Sequence, residues 1–137
     1  RDTASRLFPD ARDAMTWQIG DHGFEMTLSS RVPSIVRQRL GPWLTEWLGR
    51  HGLTIEQVGS YAVHPGGPRI VGAVADALDL ADSDVADSCH VLQHHGNMSS
   101  ATLLFVLERM RGRSCAMPCV AMSFGPGLVG EAALLTT

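Results

Sequence analysis

Not one lysine occurs among the 137 residues; all eleven basic side chains are arginine. That excludes a Schiff-base lysine and a phosphate-loop lysine from this stretch of chain. Long apolar runs are missing too. "LLFVL" at 103 to 107 falls far short of the roughly 20 residues that span a bilayer. The formal net charge is only -3, and the arginines are scattered, so neither nucleic acid nor an anionic membrane is expected as a partner. Cysteine is scarce and odd in number, with Cys89, Cys115 and Cys119, which fits reduced thiols in the cytoplasm better than a disulfide framework. There is no G-x-S-x-G elbow, which removes the usual serine-hydrolase arrangement. The opening "RDTASRLFPD" has neither an initiator methionine nor the apolar core of a signal peptide, so the chain is expected to be a piece of something longer.

What is present is a single-domain quantity of apolar side chains, 45% of the residues. In "GFEMTLSS" (23 to 30), Phe24, Met26 and Leu28 alternate with polar residues, which predicts a half-buried strand. "VPSIVRQRLGPWLTEWLGRHG" has helical spacing, with Pro33 suited to its first turn and Trp43, Leu44, Trp47 and Leu48 on one face; Gly41-Pro42 is expected to bend or split it. "SYAVHP" reads as a short buried strand ending at His64. From Pro68 the recurrence of Ile70, Val71, Val74 and Leu78 predicts a helix, and residues 82 to 95 a further one stopped by Gly96. "NMSSATLLFVLERM" is expected to be capped by Asn97 and, being apolar on almost every side, to lie buried all round. "PCVAMSF", "GPGL" and "GEAALLTT" predict a closing hairpin, and the alternation of strands and helices predicts a layered α/β fold.

His64 stands at the C-terminal end of a strand, where α/β folds gather reactive groups, and Gly66 and Gly67 after it permit close approach of a ligand or backbone. A hydrogen-bonded structural histidine is the other reading. Asn97 reads either as a helix cap or as a neutral, fixed donor to an oxyanion. His90 and His94, beside His95 and Cys89, share a helix face but lack a third and fourth ligand, so no metal is expected. None of the three cysteines opens a helix where its thiol would be acidified, and all three read as structural.

Taken together, "AVHPGGPRI" (62 to 70), "GNMSSATLLFVL" (96 to 107) and "FGPGL" (124 to 128) resemble the C-terminal half of chalcone synthase-like type III polyketide synthases, with a weaker likeness back to "FEMTLSSRVPSIV". The resemblance implies the C-terminal half of a thiolase-like fold layered α-β-α-β-α. It implies an acyltransferase that condenses malonyl-CoA, with decarboxylation, onto an acyl-CoA starter held on a cysteine of the other half. His64 and Asn97 match its catalytic histidine and asparagine, and would form the oxyanion hole. Met26, Ser99, Gly125 and Pro126 match its substrate pocket. Coenzyme A thioesters are then substrates, no cofactor is required, and the implied partners are the N-terminal half and, at full length, a second copy in a homodimer. The chain departs from the family at Met26, often phenylalanine there, and at His95, usually tyrosine. Fatty-acid condensing enzymes share the fold, but their histidine and asparagine sit in segments like "HQAN" and "NTS"; they remain an alternative, as does a non-catalytic thiolase-like assembly fragment.

Overall fold

The computed structural model of the chain describes residues 1–136. Thr137, the last residue of the expected closing strand, lies outside the described residues. Six strands and four α-helices follow in the order β1 (Asp2–Leu7), β2 (Met15–Gly20), β3 (Gly23–Leu28), α1 (Val32–Gly49), β4 (Ser60–Val63), α2 (Pro68–Leu78), α3 (Ala86–His95), α4 (Ala101–Gly112), β5 (Cys119–Gly125) and β6 (Val129–Leu135). Four strands make one sheet in the order β1-β6-β5-β4, with β4 parallel to β5 and the other pairs antiparallel. The parallel pair requires a long crossover, which α2, α3 and α4 provide.

Both faces of β4, β5 and β6 are covered, so these strands are apolar at nearly every position. Tyr61 and Val63, Val120 and Met122, Ala132 and Leu134 point to one side and pack with α1 and α2. Ala62, Cys119 and Ala121 point to the other, against Val91 of α3 and Val106 and Met110 of α4. The result is three layers, α-β-α, with His64 at the C-terminal edge of the parallel pair, where its N–H donates to the Met122 carbonyl at 2.8 Å.

The structure differs from the sequence expectations at four places. First, α1 runs unbroken through Pro42. An interior proline costs about 3 kcal/mol, but Leu40, Trp43, Leu44, Trp47 and Leu48 are all buried, each worth about 1.5–3 kcal/mol. Gly41 serves packing instead, since a Cβ there would come within 3.0 Å of the Ala77 carbonyl of α2. Second, the strand at Phe24, Met26 and Leu28 is exposed rather than half-buried. It pairs only with β2, and the register puts Met15, Trp17, Ile19, Phe24, Met26 and Leu28 on one face of a two-stranded ribbon. Beyond Met15, which packs against the core, that face is open, with Ile19 at 86% and Phe24 at 70% exposure, because no further layer among the described residues reaches it.

Third, Asn97 does not cap α4, which begins at Ala101 after Ser100. Fourth, α4 is buried on one side only. Thr102, Val106 and Met110 face the sheet, whereas Leu104 and Phe105 face outward at 66% and 46% exposure. The helix is the outermost layer of this chain on that side, which leaves its second apolar face uncovered.

Candidate functional site

The His64 motif is built by the end of β4 and a tight turn before α2. Val63 and Pro65 are buried, which anchors the chain on either side of His64, and the Gly66 N–H donates back to the His64 carbonyl at 2.9 Å. The ring itself makes no hydrogen bond among the described residues, and its Nδ1 is shielded from solvent without a partner. Burial lowers the pKa of His64 from its ordinary value, because an imidazolium is disfavoured where its charge is poorly solvated. The side chain is therefore held as a neutral imidazole with one N–H to offer at pH 7.

Asn97 follows α3 directly, after Gly96, whose φ of +70° turns the chain out of the helix. Its Oδ1 accepts from the Ser99 N–H at 2.9 Å, which fixes the amide so that Nδ2 faces the other way. Nδ2 donates to the Gly66 carbonyl at 3.2 Å. Two motifs 31 residues apart thus meet at Gly66. A Cβ on Gly66 would lie 3.7 Å from Cδ2 and Nε2 of the His64 ring, so that ring and the Asn97 amide flank the same glycine. At Gly67 a Cβ would meet nothing within 4 Å. The turn is therefore unfilled at Gly67.

The remaining expected residues fall into two groups. Ser99 sits in the Asn97 turn with a left-handed φ of +59°. Gly125, the last residue of β5, and Pro126, in the turn to β6, lie at the same end of the sheet as His64. The Gly127 N–H of that turn donates to the Met15 carbonyl at 2.7 Å and so fastens the ribbon that carries Met26. Met26 stands opposite Trp17 on the open apolar face. Elsewhere, His90 and His94 stack with ring centroids 3.8 Å apart, but among the described residues no three metal-ligating side chains gather. No helix among them is long and apolar enough to cross a membrane.

The cysteines are placed away from this arrangement. Cys119 pairs with Ser60 at the opposite end of β4 from His64, which is four residues or about 13 Å away along a strand. Burial raises its pKa, and that of the exposed Cys89 is raised as well.

The family profile described as "Chalcone and stilbene synthases, C-terminal domain" matches residues 2–137. The chain belongs to this family. It is 38% identical over 136 residues to the 1,3,6,8-tetrahydroxynaphthalene synthase of Streptomyces peucetius subsp. caesius, covering 97% of this chain and 36% of that protein. An alpha-pyrone synthesis polyketide synthase-like protein of Mycobacterium tuberculosis is 33% identical over 138 residues, covering 98% and 35%. Among solved structures, the polyketide synthase PKS-I of the brown alga Ectocarpus siliculosus superposes with a TM-score of 0.94 at 31% identity, over 99% of this chain and 38% of that one. A fungal type III polyketide synthase superposes with a TM-score of 0.86 at 27% identity, over 98% and 39%. The α/β fold is thus that of type III polyketide synthases, and the chain spans little more than a third of the length of these relatives.

Proposed function

We propose that this chain works within a full-length type III polyketide synthase, where His64 and Asn97 bind the thioester oxygen of malonyl-CoA as it decarboxylates. The C–C bond to the malonyl carboxylate breaks, carbon dioxide leaves, and the electron pair passes into an enolate whose negative charge rests on the thioester oxygen. The enolate carbon then attacks a starter acyl group on a cysteine contributed by another part of the enzyme, forming the new C–C bond and expelling the cysteine thiolate. Two fixed neutral donors stabilise the enolate oxygen without reorganising. A site sheltered from water strengthens both bonds.

The observation that carries this reading is the meeting of the two motifs at Gly66, whose carbonyl takes the Asn97 amide and whose Cα side faces the His64 ring. The unpartnered Nδ1 and open turn also favour it, for a structural histidine would normally have both motif and ring satisfied. Met26, Ser99, Gly125 and Pro126 complete the pocket in this proposal, with acyl-CoA and malonyl-CoA as ligands, no cofactor, a homodimer and a cytoplasmic setting.

The test is malonyl-CoA decarboxylation by the full-length synthase. His64→Ala and Asn97→Ala should each lower the rate by about 10²- to 10³-fold, the loss that follows removal of one oxyanion donor. Circular dichroism should show the fold retained. Wild-type rates in both variants would remove the oxyanion role.

A further inference from the structure

Among the described residues two polar side chains are fully buried, Ser88 in α3 and Thr102 in α4. Each hydroxyl oxygen receives one backbone N–H beside a candidate catalytic residue. The N–H of Val63, the residue before His64, donates to Ser88 Oγ at 3.1 Å. The N–H of Met98, the residue after Asn97, donates to Thr102 Oγ1 at 2.7 Å.

Packing alone does not call for a hydroxyl at either position. Ser88 lies between Val85 and Val91 on the buried stripe at the α3 end, and Thr102 shares its stripe with Val106 and Met110. An apolar residue would fill either place. The backbone does call for one. Ser60 and His64 direct their N–H groups to β5, onto the carbonyls of Pro118 and Met122, so the Val63 N–H points off the free edge of the sheet. Without Ser88 that buried donor would be unpaired, at a cost of about 1–3 kcal/mol.

We propose that Ser88 and Thr102 are positioning residues that set His64 and Asn97 for the decarboxylation step; this rests on the catalytic reading above. Ser88 fastens α3 to the strand just before His64, and Asn97, at the far end of the same helix, fastens to Gly66 just after it. Thr102 then fixes the loop on the other side of Asn97. The imidazole and the amide are thereby held by one frame, fastened by the buried Val63–Ser88 bond on one side and the part-buried Met98–Thr102 bond on the other.

In the full-length synthase, Ser88→Ala and Thr102→Val should each lower kcat for malonyl-CoA decarboxylation about tenfold with KM unchanged, because a displaced donor weakens the bond to the developing oxyanion and not ground-state binding. Ser88→Thr and Thr102→Ser keep the oxygen and should restore kcat. Should Ser88→Ala fail to fold, Ser88→Cys keeps the volume but weakens the acceptor, and its kcat should fall about threefold. In the 137-residue chain, the Val63 amide in Ser88→Ala and the Met98 amide in Thr102→Val should exchange hydrogen about tenfold faster, while the Val120 amide is unaffected. Large losses in His64→Ala and Asn97→Ala with wild-type kcat in Ser88→Ala and Thr102→Val would overturn the positioning role alone. Full activity in all four would overturn the catalytic reading and this role together. A loss that the oxygen-retaining variants do not restore would also overturn it, since packing and not the hydroxyl would then be responsible.

Discussion

At the scale of single residues, the proposed function makes Met26 the link between the ribbon and substrate choice. It faces Trp17 across β2 and β3, on an apolar surface that no other part of this chain covers, and is itself 56% exposed. Filling the core of this chain is therefore not its role. Methionine has three rotatable bonds and adapts to ligands of different shape, where a phenylalanine ring presents a fixed wall. In the full-length synthase, Met26→Phe should shift the ratio of kcat/KM values against long-chain and towards short acyl-CoA starters by at least about tenfold, within the roughly 1 to 3 kcal/mol that one methylene-sized contact is worth. An unchanged ratio with an intact fold would place Met26 outside the acyl pocket. His64 and Asn97 were legible because each sits in a motif that carries the family resemblance. The Asn97 bond to Gly66 was not, since the local pattern of asparagine after a helix-ending glycine equally describes a cap. Ser88 and Thr102 did leave a signal, a hydroxyl on an otherwise apolar helical stripe, but which backbone group each one meets is set by tertiary packing 25 residues away in the case of Ser88.

At the scale of elements, the strands and helices with strong apolar periodicity formed where the sequence places them, and the departures arise where a neighbour decides. β1 escaped notice because "DTASRL" is exposed at nearly every position and is held by its backbone ladder to β6. β2 did carry alternation in Met15, Trp17 and Ile19, but its apolar side has no covering layer, so alternation did not mean burial. Of the bend or split expected at Gly41-Pro42, the split does not occur, because the buried face of α1 outweighs one missing hydrogen bond. Close approach of α1 to the sheet makes a different glycine indispensable. A Cβ on Gly130 of β6 would lie 2.6 Å from Cζ3 of Trp43, a buried ring that also contacts Phe8 edge-on with centroids 6.3 Å apart. Gly130→Ala should therefore destabilise the chain by about 1–3 kcal/mol through overpacking. Thermal unfolding should report a lowered midpoint, and Trp43→Phe, which shortens the ring system, should recover part of it. A Gly130→Ala midpoint equal to wild type would mean that β6 and α1 separate more easily than their packing indicates.

At the scale of the whole molecule, the proposed function puts two donors in one chain of three layers, and among the described residues no cysteine lies beside them. The open apolar faces of the ribbon and of α4 lie where a further layer would have to pack, and monomeric proteins seldom leave surfaces of this kind uncovered. Asn97 is exposed, and in the proposed function water beside it would weaken the electrostatic stabilisation of an enolate. The cysteines do not compensate. Cys119 is buried at the start of β5, opposite Ser60, and it and Cys89 have raised pKa values that keep their thiols protonated at neutral pH. A thiol in that state is a poor nucleophile. Purified residues 1–137 should accordingly form no ketide product from malonyl-CoA and any acyl-CoA starter. Product formation and release of carbon dioxide are the measurements, with the full-length synthase as the positive control. Adding the remainder of the synthase as a separate polypeptide should restore condensation if it covers the open faces, and His64→Ala in this chain should then abolish the recovery. Condensation by the 137-residue chain alone would show that one of its own cysteines reaches His64, and the division of the catalytic residues between two parts of the enzyme would have to be abandoned.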